Sequence, residues 1–253
     1  MPRAKPCSEK CLKKTAMNQN RSRSTESGNA LFMILIGVVL FAALSFTFTR
    51  NNQQNADSLT QRQSELAASD IVTYAQRVSR TVDSMLSKSY SETQISFEGM
   101  ESTIPYTNIH CTEANCKVFG GSTYGIQQSI PLDTWMDTAQ TGNYAFKKWY
   151  ITSQYCIPSL PDSTICSGDK GNDLVMVLPY LKKSLCEMIN TKLHLPVPVP
   201  TPSSMGTIDA AHQFSGNFNV SAFVLSDSAL EKQSSGCVQT GTTYYFYQVL
   251  MQR

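Results

Sequence analysis

Residues 27–49 read SGNALFMILIGVVLFAALSFTFT and contain no charged side chain. The densest apolar part, Ala30 to Thr49, has the length of about 20 residues that an α-helix needs to cross the hydrocarbon core of a bilayer. A basic segment precedes this stretch and a long polar segment follows it. The sequence therefore predicts one transmembrane helix over residues 30–49, with the lipid bilayer as its partner.

Residues 1–29 form a basic tail. They hold seven of the 21 Lys and Arg residues and two of the 19 acidic residues, a net charge of +5, whereas the rest of the chain carries −3. Positive charge beside a span stays on the cytoplasmic side. We therefore predict a single-pass inner-membrane protein with its N-terminus in the cytoplasm and residues after Arg50 in the periplasm or outside the cell. The tail has no aromatic side chain for stacking on bases, so we expect no nucleic-acid partner.

A cleaved secretory signal is the alternative use of the same stretch. Residues 31–41 have the length of its apolar core, and residues 43–45 supply the small side chains of a cleavage site. The apolar run continues through residues 46–48, however, and is longer than the usual core of a signal peptide. The length of the run and of the basic tail favours a retained anchor.

Residues 50–88 have the pattern of an amphipathic helix, here called the stalk, without Gly or Pro. Apolar residues recur at intervals of four, four, three, four and three, which places them on one face of a helix. They are Ala67, Ile71, Ala75, Val78, Val82 and Met85. A coiled-coil dimer is the rival use of this stripe, but it covers fewer than three heptads. We predict one helix from about Ala30 to Lys88 whose last turns pack on the chain's own head.

Residues 89–253 read as a globular head of short strands and loops. The predicted strands combine β-branched and aromatic residues between Pro, Gly and Ser punctuation. They cover residues 94–98, 117–119, 145–157, 218–227 and 242–253. Both faces of the last strand are apolar, which is typical of a central strand.

A second helix is predicted in the head. Residues 174–178 are apolar, and Pro179 suits the first turn of a helix because the missing N–H is not needed there. The helix would run to about Leu193, and the Pro-rich residues 195–202 would form an extended connector. The predicted fold class is α+β, with a long transmembrane-to-amphipathic helix on a small mixed or antiparallel sheet.

The eight cysteines divide between the tail and the head. Cys7 and Cys11 are too few ligands for a structural zinc site, and we expect free thiols there. The even number in the head predicts three disulfides in an oxidising compartment. Spacing suggests the local pairs Cys111–Cys116 and Cys156–Cys166, which leaves Cys186–Cys237. This last pair closes a loop of 52 residues, and loop-closure entropy would make it stabilising by about 4 kcal/mol.

The layout of an apolar helix, an amphipathic helix and a mixed-sheet head resembles that of type IV pilins and type II secretion pseudopilins. Local patterns also resemble a group of bacterial pilin-like proteins. They are Ser27-Gly28-Asn29-Ala30-Leu31-Phe32 with Ile34-Leu35-Ile36, Leu185-Cys186 with Ile189-Asn190, and Cys237-Val238 with Tyr244 and Tyr247. The resemblance implies a structural role and processing by a prepilin peptidase between Gly28 and Asn29. The pilin pattern has an aromatic residue or Met at the position of Asn29, and it has Glu at the position of Met33.

Motifs that carry catalytic or metal chemistry are sparse. Residues 167–170 match S-x-x-K without its companion elements, and residues 120–124 depart from G-x-S-x-G at the last position. Asp169, Asn172 and Asp173 are calcium candidates because some pseudopilin heads bind calcium, but their spacing does not match an EF-hand loop. We therefore expect no catalytic residue, no cofactor and no enzyme.

Two function classes follow from these observations. The first is a membrane-anchored, pilin-like or pseudopilin-like structural subunit of a bacterial secretion or pilus machine, with other pilin-like subunits as partners. The alternative is a stand-alone, single-span anchored binding domain that is periplasmic or exported and non-enzymatic.

Overall fold

The computed structural model describes residues 27–99, 104–120, 126–157, 172–202, 205–218, 223–225, 227, 229–230 and 232–253, with side chains for all of these except 27–30 and 46–59. The chain divides into two units, Met1–Ala56 and Asp57–Arg253, which are described separately.

Helix α1 begins at Ser27 and ends at Ser87, a length of 61 residues. This agrees with the predicted continuous helix over residues 30–88 to within three residues at its start and one at its end. The absence of Gly and Pro between Arg50 and Ser87 explains why no break occurs there, since these two residues are the ones that destabilise helix interiors.

The transmembrane part of the predicted fold is wrong. Among the described residues, no helix is long and apolar enough to cross a membrane.

The stripe on the stalk forms the buried face of α1 in the second unit. Five of its six residues have no exposed surface, and Ala67 is 9% exposed. Two contacts show what this face meets: the rings of Tyr74 and Trp149 lie 5.1 Å apart, and the Ser79 hydroxyl donates to the Val249 carbonyl at 3.4 Å. This confirms the prediction that the stripe packs on the chain's own head.

Five strands form one mixed sheet in the order β3-β1-β2-β5-β4. They are β1 (Tyr150–Cys156), β2 (Asp173–Leu181), β3 (Phe223–Val224), β4 (Ser235–Thr240) and β5 (Thr243–Met251). All neighbouring strands are antiparallel except β1 and β3. Strand β5 lies between β2 and β4, in agreement with the central position that its two apolar faces predict. With α1 and helix α2 (Lys183–Lys192), the architecture is α+β.

The predicted start of the second helix at Pro179 is wrong. Pro179 lies within β2 opposite Tyr245, and α2 begins only at Lys183. A register irregularity follows Pro179, and Tyr180 has φ +65°, so the chain bulges at this point. A bulge is one of the few places where a sheet tolerates Pro, because the missing N–H then removes no ladder hydrogen bond.

Two of the other predicted strands, residues 94–98 and 117–119, do not form strands of the sheet. Residues 94–98 and 117–119 meet only at the isolated bridge between Ser96 and Lys117. Of residues 218–227, the described strand is β3 alone. Strand β4 was not predicted, because its sequence SGCVQT has little apolar alternation and obtains its place by pairing with β5.

Candidate functional site

The described side chains of the first unit form an exposed apolar surface on α1. Every large aliphatic or aromatic side chain described there is between 41% and 74% exposed. We call these residues the apolar segment: Leu31, Phe32, Met33, Ile34, Leu35, Ile36, Val38, Val39, Leu40, Phe41 and Leu44. They face all directions around the helix, since consecutive residues are included. Monomeric soluble proteins rarely expose a contiguous apolar surface of this kind, so the segment has the character of an interaction surface.

The buried polar side chains of β1 hold a neighbouring segment in place. Each donates a hydrogen bond to a backbone carbonyl in residues 205–218, which we call the strap. The pairs are Tyr150 with Asp209, Thr152 with His212, Ser153 with Asn217, Gln154 with Thr207 and Tyr155 with Met205. Buried hydroxyl and amide groups need such partners to offset the loss of water. Their role is therefore to fix the strap on the sheet.

Asp209 and His212 within the strap form the closest acid–imidazole pair in the described chain. The Asp209 Oδ1 atom lies 2.7 Å from His212 Nδ1 and also accepts the backbone N–H groups of Ala211 and His212. Burial raises the pKa of Asp209, but these hydrogen bonds outweigh it and hold the pKa below its usual range. An Asp that caps the next two or three N–H groups is typical of a turn. The pair therefore closes a turn of the strap.

Asp173, a calcium candidate, is buried at the start of β2. Its two carboxylate oxygens accept the backbone N–H groups of Ile157, at 2.9 Å, and Arg253, at 3.2 Å. Burial raises the pKa of Asp173 to about 6, against the lowering effect of these two hydrogen bonds. The carboxylate is thus used to join the end of β1 to the residue that follows β5.

The other two calcium candidates are Asn172 and Asp169. The Asn172 amide nitrogen donates to the Phe218 carbonyl at 2.8 Å, and Asp169 lies outside the described residues. The described part of the chain holds no group of three His, Cys, Asp or Glu side chains that could bind a metal ion. The motif at 167–170 and most of that at 120–124 also lie outside the described residues.

Two disulfides join the pairs predicted from spacing. Cys111 is bonded to Cys116 and Cys186 to Cys237, with Cα–Cα distances of 5.6 and 5.4 Å. Cys156 is also disulfide-bonded. Its predicted partner Cys166, like Cys7 and Cys11 of the tail, lies outside the described residues.

The Cys186–Cys237 bond is reinforced by Asn190, one turn further along α2. The Asn190 side chain accepts the Cys237 N–H at 2.8 Å and donates to the Cys237 carbonyl at 3.0 Å. It therefore satisfies both backbone groups that an edge strand would otherwise present to a partner. Gln239, two residues along β4, donates its N–H to the Pro200 carbonyl. The outer edge of β4 is thus covered, which argues against strand addition there.

A groove of about 600 Å³ runs between α1 and α2 in the second unit. It is lined by Arg62, Glu65, Leu66, Ser69, Met188, Thr191 and Lys192. Leu66 directly precedes Ala67, the first residue of the buried stripe, but is itself 66% exposed. Lys192 donates to the Ser69 hydroxyl at 2.7 Å and forms no ion pair within the described residues. The sequence contained no signal for this groove, because it depends on how α2 packs beside α1.

The predicted processing site lies at the start of α1. Gly28 and Asn29 follow Ser27, the first helical residue, and are part of the first turn. No family model, curated protein or solved structure matches the chain. The prediction of this site comes from the sequence resemblance.

Proposed function

We propose that the protein is a non-enzymatic structural subunit of a pilin-like envelope assembly. In this proposal the apolar segment of α1 packs against the equivalent helices of neighbouring subunits, and the head lies in an oxidising compartment. The observation that carries the proposal is the exposure of eleven large apolar side chains between Leu31 and Leu44. Burial of such a surface is the main favourable term in association.

The remainder of the chain supports a structural role in two ways. The buried polar side chains of β1, Asp173 and Asn190 make hydrogen bonds to backbone groups and so maintain the fold. The disulfides Cys111–Cys116 and Cys186–Cys237 stabilise the head and are of the kind that persists outside the cytoplasm.

The proposal is tested by sedimentation of the full chain after its extraction in a mild detergent and removal of that detergent. We expect oligomers, and we expect the variant Leu35→Lys/Val39→Lys to remain monomeric because it places two charges on the apolar segment. The matched control is Leu132→Lys, which alters an exposed leucine of the head. A wild-type chain that is monomeric and soluble without detergent would contradict the proposal, and one that associates only with added liposomes would point to lipid as the occupant.

A second candidate function is a stand-alone exported binding domain, and the groove between α1 and α2 is the observation that favours it. A binding domain would be monomeric in the same sedimentation experiment. Its activity would depend on groove residues such as Leu66 and Met188 and would be insensitive to the Leu35→Lys/Val39→Lys variant.

A further inference from the structure

A loop at the far end of α1 presents an unusually exposed apolar side chain. Ile109 is 84% exposed, more than any other large apolar residue described in the second unit. It belongs to residues 107–116, which we call the knob. An exposed isoleucine at the tip of a loop is a candidate anchor if the loop that carries it is rigid, because little conformational freedom is then lost on binding.

The knob is held rigidly from both sides of Ile109. Before it, the Asn108 amide donates to the carbonyls of Thr93 and Ile95, and its oxygen accepts the His110 N–H. After it, Cys111 is tied to Cys116 by a disulfide.

Gly216 of the strap lets this arrangement pack closely. It has φ +83°, and a Cβ added there would lie 2.7 Å from the Thr93 carbonyl oxygen. Any side chain at position 216 would therefore collide with Asn108 and with the Thr93 backbone.

The knob and the groove lie at opposite ends of the packed part of α1. The groove is lined by α1 residues 62–69, whereas residues of the knob share a depression with Lys88 and Ser89, just after α1 ends. From Leu66 to Lys88 the helical rise of about 1.5 Å per residue gives a separation of about 33 Å. A projecting isoleucine at one end of a subunit and a groove that contains Leu66 and Met188 at the other suit a head-to-tail contact between copies.

The charges of the groove and of the knob's own residues are complementary, and Lys88 at the end of α1 lies beside the knob. Arg62 and Lys192 line the groove and form no ion pair within the described residues, and Glu65 is the one acidic side chain in the lining. In the knob, Glu113 is the acidic residue and has no ion-pair partner among the described residues. A Glu113 carboxylate placed near Arg62 and Lys192 of another copy would gain modest Coulombic energy and, above all, fix the orientation of the contact.

From these observations we propose that the knob of one copy inserts Ile109 into the groove of a second copy, with Glu113 directed at Arg62 and Lys192. The contact is heterologous, because the two partners contribute different surfaces. It rests on the proposed structural role and adds to it a specific contact between heads, separate from the apolar segment.

The test uses the full chain with a photo-crosslinking amino acid in place of Ile109. We expect intermolecular products in which position 109 is joined to a peptide containing Leu66 or Met188. A Leu66→Asp acceptor chain should reduce the yield several-fold. The Glu113→Arg change should also reduce it, and Lys192→Glu in the same chain should recover part of the loss by reversing the pair. An Ile130→Asp acceptor chain, altered at another exposed isoleucine of the head, should give the wild-type yield.

The outcomes separate this contact from the proposed function. If the chain forms oligomers through the apolar segment but position 109 joins to no groove peptide, the knob–groove contact is refuted and the structural role is unaffected. If the groove cross-link forms while oligomers are insensitive to Leu35→Lys/Val39→Lys, the contact stands and the role assigned to the apolar segment fails. Cross-links within one chain alone would also overturn the contact.

Discussion

At the scale of single residues, Asp173 couples the stability of the fold to pH. Its pKa is raised to about 6 in the folded chain from an ordinary value of 3.8, because the carboxyl group is buried. The folded state therefore binds the proton more tightly, and the contribution of Asp173 to stability is greatest below pH 4 and is lost as pH rises to 6. The loss amounts to at most about 3 kcal/mol, given about 1.36 kcal/mol per pKa unit.

We expect the Asp173→Asn variant to lack this decrease between pH 4 and 6 while being less stable at low pH. The Ile157 and Arg253 N–H groups meet different oxygens of Asp173, and the amide nitrogen that replaces one of these oxygens in Asn cannot accept a hydrogen bond. Urea unfolding at a series of pH values measures both effects. Asp133→Asn, which changes an exposed carboxylate, serves as the control, and parallel pH profiles for wild type and Asp173→Asn would contradict the prediction.

At the scale of elements, the buried face of α1 should contribute much more to stability than its exposed positions. Ile71 has no exposed surface and lies in the stripe, so Ile71→Ala should lower the free energy of unfolding by about 2–5 kcal/mol. Leu66, about one turn earlier, is 66% exposed, and Leu66→Ala should change it by about 0.5 kcal/mol or less. Urea unfolding of both variants makes the comparison, and equal effects would show that the stripe is not the packed face.

The two described disulfides should differ in effect because they close loops of different length. Cys186–Cys237 spans 51 positions and links α2 to β4, whereas Cys111–Cys116 spans five. Loop-closure entropy predicts that replacing Cys186 and Cys237 by Ala lowers the free energy of unfolding by about 4 kcal/mol. The same replacement of Cys111 and Cys116 should lower it by about 2 kcal/mol. Chemical unfolding of the two double variants tests the order. A larger loss from the 111–116 pair would show that native packing, rather than the unfolded chain, governs the effect.

At the scale of the whole molecule, the knob and the apolar segment should act independently in assembly. Ile109→Asp removes the proposed anchor but leaves the hydrogen bonds of Asn108 and the Cys111–Cys116 disulfide in place. We expect this variant to unfold at the wild-type urea concentration and to form smaller or less regular oligomers. Analytical ultracentrifugation and electron microscopy measure the change, and unaltered particles would indicate that the heads do not contact one another through Ile109.

Several features of this protein were determined by its sequence alone. The helix over residues 27–87 and its buried stripe follow from local periodicity and the absence of Gly and Pro, which are properties of neighbouring residues. The pairs Cys111–Cys116 and Cys186–Cys237 were predicted from spacing, and the central position of β5 from its two apolar faces. These signals are readable because each depends on the pattern within a short segment or on the order of cysteines.

Other features were decided by the tertiary structure. Pro179 lies within β2 because it stands at a bulge, where its missing N–H removes no ladder hydrogen bond. Strand β4 forms because it pairs with β5. Asn190, Asp173 and the groove beside Leu66 acquired their roles from segments that are distant in sequence and adjacent in the fold. Long-range pairing and burial set these outcomes, and no local pattern of residues encodes which distant backbone group a side chain will meet.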